Sequence, residues 1–364
     1  MKVFIAIDSF KGTLSSHEVG SMMASSLINR HIDAEYLSVA DGGEGFLDAI
    51  EEVLSAKRIM CDVFNPIGGL IKTYYLYDKT TQTAYIELAK ASGYMLLAPE
   101  QRNPVEASTY GFGQLIDQAI ANRATHIVLG LGGSATNDGG VGMLEALGCQ
   151  FFDYQSQRIQ GLNARKLGEI ATINQDFLIE KIKHVQFKVV VDVKNPLLGK
   201  NGATRVYGPQ KGLTSSMIIE FERHLRAYAR LLDPMAIWQW EPGSGASGGV
   251  GFACKACLQA TCELGIDYIL DLVHFEDHIK SADYIITGEG TFDQQSLFGK
   301  VVGGIIKRSQ NKKVIVVCGV NNIGSTLPKE IVKVVSIVPQ ITTYDEALLH
   351  AHEYFKKLCE LIVL

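Results

Sequence analysis

Six times along this chain a short apolar run leads into a loop where glycine is mixed with aspartate, asparagine, serine or lysine, and a helix usually follows. The loops are Asp8–Thr13, Asp41–Gly45, Gly130–Gly142, Asp192–Thr204, Gly243–Gly251 and Gly288–Asp293. No other feature constrains the fold as much. A short apolar run bounded by turn signals reads as a strand buried on both faces, the strand of a parallel sheet. In open sheets of that kind ligands sit beyond the carboxyl ends of the strands, where the next helix presents free N–H groups. An α/β protein with its chemistry in these loops is therefore expected. The 36 glycines among 364 residues exceed the ordinary share of about 7%. Apolar residues make up 47% of the chain, enough for a real core, which excludes intrinsic disorder.

Individual elements follow from periodicity. Val3–Ile7 is expected as the first strand. Ser15 and Glu18 form a capping box for a helix whose one face carries Val19, Met22, Met23 and Leu27. Tyr36–Ala40 is expected as the second strand, and the next helix carries Phe46, Leu47, Ile50, Val53 and Leu54. Ile71–Tyr77 and Thr83–Leu88, rich in Thr, Tyr and Ile, read as antiparallel strands beyond the turn at 65–69. Further on, a helix near 105–121, the strands His126–Leu129 and Phe187–Val191, and the helix Ile218–Leu232 are expected. Residues 150–185 support no more than one or two helices. A helix near 252–263, two closing strands (Tyr284–Thr287 and Val314–Cys318) and a last helix from Tyr344 to Leu361 complete the pattern. It predicts an α/β domain built from both chain ends (1–62 plus 285–364), interrupted by an inserted mixed α/β domain (63–284).

Several function classes drop out. A net charge of −5 without a basic stripe argues against a nucleic-acid partner. No apolar run approaches the roughly 20 residues that span a bilayer, and the amino end is too short in apolar residues for a signal peptide. Seven scattered cysteines fit reduced thiols, so a cytoplasmic protein is expected, monomer or homodimer. Gly130-Leu-Gly132-Gly133-Ser134-Ala135 fits a dinucleotide turn after a strand, with Asp153 about 20 residues on, but 136–140 prolong the loop with polar groups. Gly243-Ser-Gly-Ala-Ser-Gly248 has the same spacing without a strand before it. Neither Gly199-Lys200 nor Gly299-Lys300 completes a phosphate-binding Walker loop. Cys254 and Cys257 have metal-ligand spacing but no second pair, so buried thiols in a helix are the better reading. His350 and His352 diverge on their helix, and no G-x-S-x-G elbow is present. Glycine-rich loops with several carboxylates and few basic residues point instead to a metal–nucleotide and a small polar substrate.

The loops, in this order, resemble the ATP-dependent glycerate kinases of the bacterial type-1 family. The resemblance is carried by Asp8-Ser9-Phe10-Lys11, by Ala40-Asp41-Gly42-Gly43-Glu44-Gly45, and by the run from Gly130 to Gly140. It continues through Asp192-Val193 with Asn195-Pro196-Leu197, Tyr207-Gly208-Pro209-Gln210-Lys211-Gly212, and Ile286-Thr287-Gly288-Glu289-Gly290. It implies transfer of the ATP γ-phosphate to D-glycerate, generally at the 2-hydroxyl, with Mg²⁺. It also implies one flavodoxin-like domain with a parallel sheet and one inserted mixed-sheet domain similar to the restriction-endonuclease core. Thr291 and Gln294 depart from the family's usual Arg and Ser, while every loop aspartate is retained.

Phosphoryl transfer asks for positioning, cations on the developing charge and a carboxylate that orients the attacking hydroxyl. Asp192, Asp41 and Lys11 are the catalytic candidates, with turn-capping as the alternative for the aspartates. Asp8, Ser9, Lys11, Asn137 and Asp138 are candidates for binding substrate. Gly132, Gly133, Ser134, Lys211, Gly288, Gly290 and Lys300 are candidates for nucleotide and phosphate. Asp192, Glu289 and Asp293 are candidates for Mg²⁺. Two other readings stand beside this one: a non-catalytic sensor of glycerate or a related sugar acid, altered at 291–294, and a nicotinamide-dependent hydroxy-acid oxidoreductase using the Gly130 loop. The kinase reading requires the acidic loops to share a ligand-binding cleft.

Overall fold

A computed structural model describes residues 1–43, 45–297, 300–324 and 326–364; Glu44 and Gly299, which belong to the motifs above, lie outside the described residues. Along the chain the strands are β1 (Lys2–Ile7), β2 (Asp33–Tyr36), β3 (Lys57–Phe64), β4 (Leu70–Asp78), β5 (Thr83–Glu87), β6 (His126–Leu131) and β7 (Gln150–Phe152). They continue with β8 (Arg158–Ile159), β9 (Thr172–Asn174), β10 (Gln186–Val191), β11 (Thr261–Leu264), β12 (Tyr284–Phe292), β13 (Lys313–Asn321) and β14 (Ile331–Val338). The chain divides into two compact units. The first holds Met1–Asp41, Asp48–Val53 and Leu264–Leu364, and the second holds Gly42–Leu47 and Leu54–Glu263.

In the first unit five strands form one sheet in the order β14-β13-β12-β1-β2, and every neighbouring pair is parallel. With the inserted segment removed, that order is 2-1-3-4-5, the flavodoxin-like winding. Helix Ser16–Ile28 opens on the expected capping box and buries Val19, Met23 and Leu27 in the same core as Val3, Ile5 and Ile7. The second strand lies at Asp33–Tyr36, not Tyr36–Ala40: the pairing that starts Lys2↔Asp33 ends at Ile5↔Tyr36. Val39 and Ala40 are buried without belonging to the strand, so their apolar signal reports burial and not pairing. β12 and β13 run to Phe292 and Asn321, beyond their apolar cores, because they keep pairing with each other through Thr291↔Val320. β14, interrupted in sequence by Lys333 and Ser336, closes the sheet where periodicity predicts no strand. The last helix breaks into Tyr344–Leu349 and Ala351–Glu360 at His350, whose φ of −126° is not helical.

In the second unit the order is β11-β10-β6-β5-β4-β3. β3, β4 and β5 are antiparallel neighbours, while β5, β6 and β10 are parallel, so the sheet is mixed. β3 is an addition to the expected strands; its alternating burial marks a strand with one covered face. Residues 150–185 hold a small antiparallel sheet, β8-β7-β9, besides the helix Asp176–Ile182. The helix expected near 252–263 follows a kink at left-handed Ser247, Gly248 and Gly249 and ends at Leu258, and the residues after it form β11.

The chain passes between the contact units at 41/42, 47/48, 53/54 and 263/264, beside the 62/63 and 284/285 expected from sequence. Helices Gly265–Leu272 and Phe275–Ile279 pack in the first unit: Ile266 sits against Gly304, and the Phe275 ring meets Phe4 edge-on at 5.6 Å. Phe46 packs on Gly130 in the second unit, and the Leu47 N–H donates to the buried carboxylate of Glu87 at 3.1 Å. Among the described residues no helix is long and apolar enough to cross a membrane.

Candidate active site

Each unit carries its own pocket, and the acidic loops expected to share a cleft divide between the two linings, Asp8 and Asp41 in the first and Asp192 in the second. In the first, the winding order reverses between β1 and β12, and a pocket of about 230 Å³ opens at the carboxyl ends of these strands. Loops diverge to opposite sides at such a point, which leaves a crevice. Asp8, Ser9, Lys11, Asp41, Glu289, Gly290 and Lys300 all line it. Asp8 follows β1; its N–H donates to the Gly288 carbonyl at 2.9 Å, and its carboxylate accepts the Ser9 N–H at 2.7 Å. Lys11 Nζ lies 3.3 Å from Asp41 Oδ2, and Lys300 Nζ lies 3.7 Å from Glu289 Oε2. The other Glu289 oxygen, Oε1, is buried without a hydrogen-bond partner.

Three carboxylates against two lysines leave this pocket electrostatically uneasy. Burial, and then repulsion from Asp41, push the Asp8 carboxyl well above the ordinary carboxylate range, against the pull of Lys11 and the Ser9 N–H. Burial also raises Glu289, opposed chiefly by Lys300. Carboxyls shifted by burial and by like charge, gathered in one crevice, mark it as a candidate functional site.

The second unit has a pocket of about 340 Å³ lined by Gly132, Gly133, Ser134, Asp192, Tyr207, Lys211 and neighbours. Asp192 follows β10 directly. Lys211 is only 7% exposed and donates to Ser134 Oγ and to the Thr136 carbonyl, both at 2.7 Å. Burial brings its ammonium down to about 8, although Asp138 and Asp192 pull the other way. Tyr207 donates to Asn195 Oδ1 at 2.7 Å, and burial followed by the Asp192 charge raises its phenol. Gly132 has to be glycine, since a Cβ there would lie 2.3 Å from the Gly43 Cα. The helix after this loop starts only at Val141, so no helix N-terminus follows Gly132 as a dinucleotide turn would require.

Four candidates lie outside both linings. Asp138 is fully buried: its carboxylate accepts the Thr109 N–H and hydroxyl at 2.9 and 2.7 Å and the N–H groups of Gly140 and Gly142 at 3.1 and 3.4 Å. Asn137 pairs with Thr204 Oγ1 at 3.1 Å, also buried. Gly288 lets β12 lie beside β13, because a Cβ would sit 1.9 Å from the Val317 carbonyl oxygen. Asp293 Oδ1 caps the following turn by accepting N–H groups of Gln295 and Ser296. Cys254 and Cys257 are buried, unpaired thiols in a helix, and the described residues contain no cluster of three or more side chains able to hold a metal.

The pocket linings also include residues that sequence reasoning passes over. Tyr94 and Gln210 border the second pocket; Val320, Ile337, Tyr344, Ala347 and Leu348 wall one side of the first. Tyr344 and Leu348 stand four apart on a helix, hence on one face, but that spacing is shared by every packed helix and does not mark a pocket.

Against known proteins, residues 3–364 match the sequence profile of the glycerate kinase family. A glycerate kinase of Haemophilus influenzae is 39% identical over 88% of this chain and 86% of its own length. A glycerate 2-kinase of Escherichia coli is 37% identical over 97% of this chain and 94% of its own. A crystal structure from Salmonella typhimurium LT2, which carries a provisional glycerate kinase 2 name, superposes with a TM-score of 0.80 at 36% identity, covering 99% of this chain and 96% of that one.

Proposed function

This chain belongs to the glycerate kinase family, and we propose from that premise that it transfers the ATP γ-phosphoryl group to the 2-hydroxyl of D-glycerate, giving 2-phosphoglycerate and ADP. It is a phosphotransferase acting on glycerate, with ATP as the donor. The name of the Escherichia coli relative supports the 2-hydroxyl. The observation that carries the residue roles is the pairing of an acidic strand end with a buried lysine in one pocket: Asp192 beside Lys211.

In this reading Asp192 accepts the proton of the attacking hydroxyl. Lys211, held by Ser134 and the Thr136 carbonyl, meets the carboxylate of the acceptor or the charge that develops on the phosphoryl group. Asp8, Ser9 and Lys11 supply hydrogen-bond acceptors and a cation for a hydroxylated anion, and Asp41 orients Lys11. Lys300, with the backbone at Gly290, serves a phosphate. Asn137 and Asp138 hold the Gly130 loop in shape through Thr204 and Thr109.

Mg²⁺ keeps to oxygen ligands, often one or two carboxylates together with substrate phosphates. The unpartnered Oε1 of Glu289 fits such a ligand, whereas the capping bonds of Asp293 commit one of its oxygens. Bound there, the ion would neutralise phosphate charge.

The test is ADP release by the purified chain with and without D-glycerate, with the product's phosphorylated carbon assigned by NMR. Release only with D-glycerate and a 2-phospho product are expected, and Asp192→Asn should lower turnover ~10²-fold or more, as loss of a positioned base does. Glycerate that stabilises the fold without any ADP release would favour the sensor reading instead.

A further inference from the structure

The first unit's pocket is two-faced. One side is Asp8, Lys11, Asp41, Glu289 and Lys300; the other is Val320, Ile337, Tyr344, Ala347 and Leu348. Glycerate is a three-carbon acid whose every carbon bears oxygen, so it has nothing to place against an apolar wall. Yet Tyr344 and Leu348 remain 55% and 48% exposed beside this charged site, a standing cost in water unless a ligand covers them. The donor of the kinase reading has the missing part: a flat, largely apolar purine joined through a diol to a chain of anions.

We propose that this pocket is the nucleotide's seat, with the adenine ring against Tyr344 and Leu348, the ribose hydroxyls toward Asp8 and Asp41, and the phosphates toward Lys11 and Lys300. The assignment rests on the kinase reading above and adds to it which pocket takes which substrate. Three observations converge. The pocket lies at the switch point of a 2-1-3-4-5 sheet, where the crevice favours a mononucleotide. Its lining passes from apolar side chains at the ends of β14 and β13 to acid–lysine pairs around β12 and β1, which offers a base one face and the sugar and phosphates the other. An aromatic ring and a leucine one helical turn apart make a platform wide enough for a fused ring. The assignment moves Asp8, Ser9 and Lys11, read from sequence as glycerate contacts, to the donor, and leaves the acceptor to the pocket of Asp192 and Lys211.

Calorimetric titration of the full chain with ADP and with pyrophosphate isolates the nucleoside, because the two ligands share the phosphates alone, and substitutions at Leu348 and Tyr344 then separate the base from the ribose. The wild-type chain should bind ADP at least about tenfold more tightly than pyrophosphate, the affinity that burial of an apolar ring typically adds. Leu348→Asp should remove most of that gap; its added charge repels the phosphates of both ligands alike, so the ratio of the two affinities is what reads the base. Tyr344→Ala, which introduces no charge, should narrow the gap in the same direction. Unfolding midpoints of both variants identify any general loss of structure, which half-exposed positions are not expected to cause. A gap that persists in both folded variants overturns the proposal. So does a rise in the glycerate KM in place of the loss in ADP affinity, which would seat the acceptor on this wall. The titration needs no turnover: a wild-type chain that bound ADP as described but never phosphorylated glycerate would defeat the kinase reading and leave this one standing.

Discussion

Asp8 and Asp138 stand in loops of the same grammar, each beyond a strand and among glycines, and each is nearly removed from water, at 4% and 0% exposure. Their fates differ. Asp138 is surrounded by donors, and every influence on its carboxyl after burial is a hydrogen bond that favours the charge. For Asp8 the influence next after burial is another carboxylate, Asp41, which disfavours it. A buried acid whose surroundings answer its charge is building material. One whose surroundings contest it holds free energy that a ligand can release.

The contrast is sharpest if each acid is removed in turn. Asp138→Ala should be the more damaging change by far. It strands the N–H groups of Thr109, Gly140 and Gly142 and the Thr109 hydroxyl in a fully buried site. At roughly 1–3 kcal/mol for each buried donor left unpaired, the loss is at least about 4 kcal/mol, a large share of a domain's usual stability of about 5–15 kcal/mol. Denaturant midpoints read it directly, and a variant as stable as wild type would show that the loop is not held by this carboxylate.

Asp8→Asn should do the opposite. It removes a charge that Asp41 repels and keeps an oxygen for the Ser9 N–H, so the unfolding midpoint should not fall. Function should suffer instead. Losing a charged hydrogen-bond partner of the nucleotide costs ~10–100-fold in kcat/KM for ATP. A variant that is destabilised but fully active would place Asp8 with Asp138, as a structural acid.

How far this is legible in the sequence depends on the kind of information each residue carries. The strand–loop–helix grammar names the sheet, its carboxyl-end loops and the candidates Asp8, Asp41 and Asp192, because periodicity and loop chemistry are local; Lys211, at the end of a helix, comes forward only through the Tyr207–Gly212 run of the family resemblance. Asp138 groups with them since composition cannot tell four donors from a ligand: Thr109 lies 29 residues away along the chain. β14 escapes because Lys333 and Ser336 interrupt its apolar run, although its register with β13 tolerates both. The unit boundaries move because Phe275 and Ile266 find their partners, Phe4 and Gly304, only in three dimensions. Tyr344 and Leu348 look like an ordinary helix face, and nothing local says that a pocket begins there.

The smallest expected effect is also the most specific to the contrast. Because the folded chain raises Asp8 above its ordinary value of 3.8, the native state holds that proton over a pH range in which the unfolded chain has released it. Stability varies with pH as the difference in bound protons, so the Asp8 contribution is whole below the ordinary value and is lost as pH rises through the raised one. Asp138 and Glu289 are raised as well and give slopes of the same sign, so the wild-type curve alone cannot isolate Asp8. The difference between wild type and Asp8→Asn can. Urea midpoints taken at several pH values from mildly acidic to neutral should show the variant gaining on wild type as pH rises, while a second-unit control such as Tyr207→Phe keeps a constant offset. A constant offset for Asp8→Asn as well would mean that Asp8 titrates as it does in the unfolded chain. The repulsion from Asp41 would then be met within the protein, and the difference between the two buried acids would lie in their position alone.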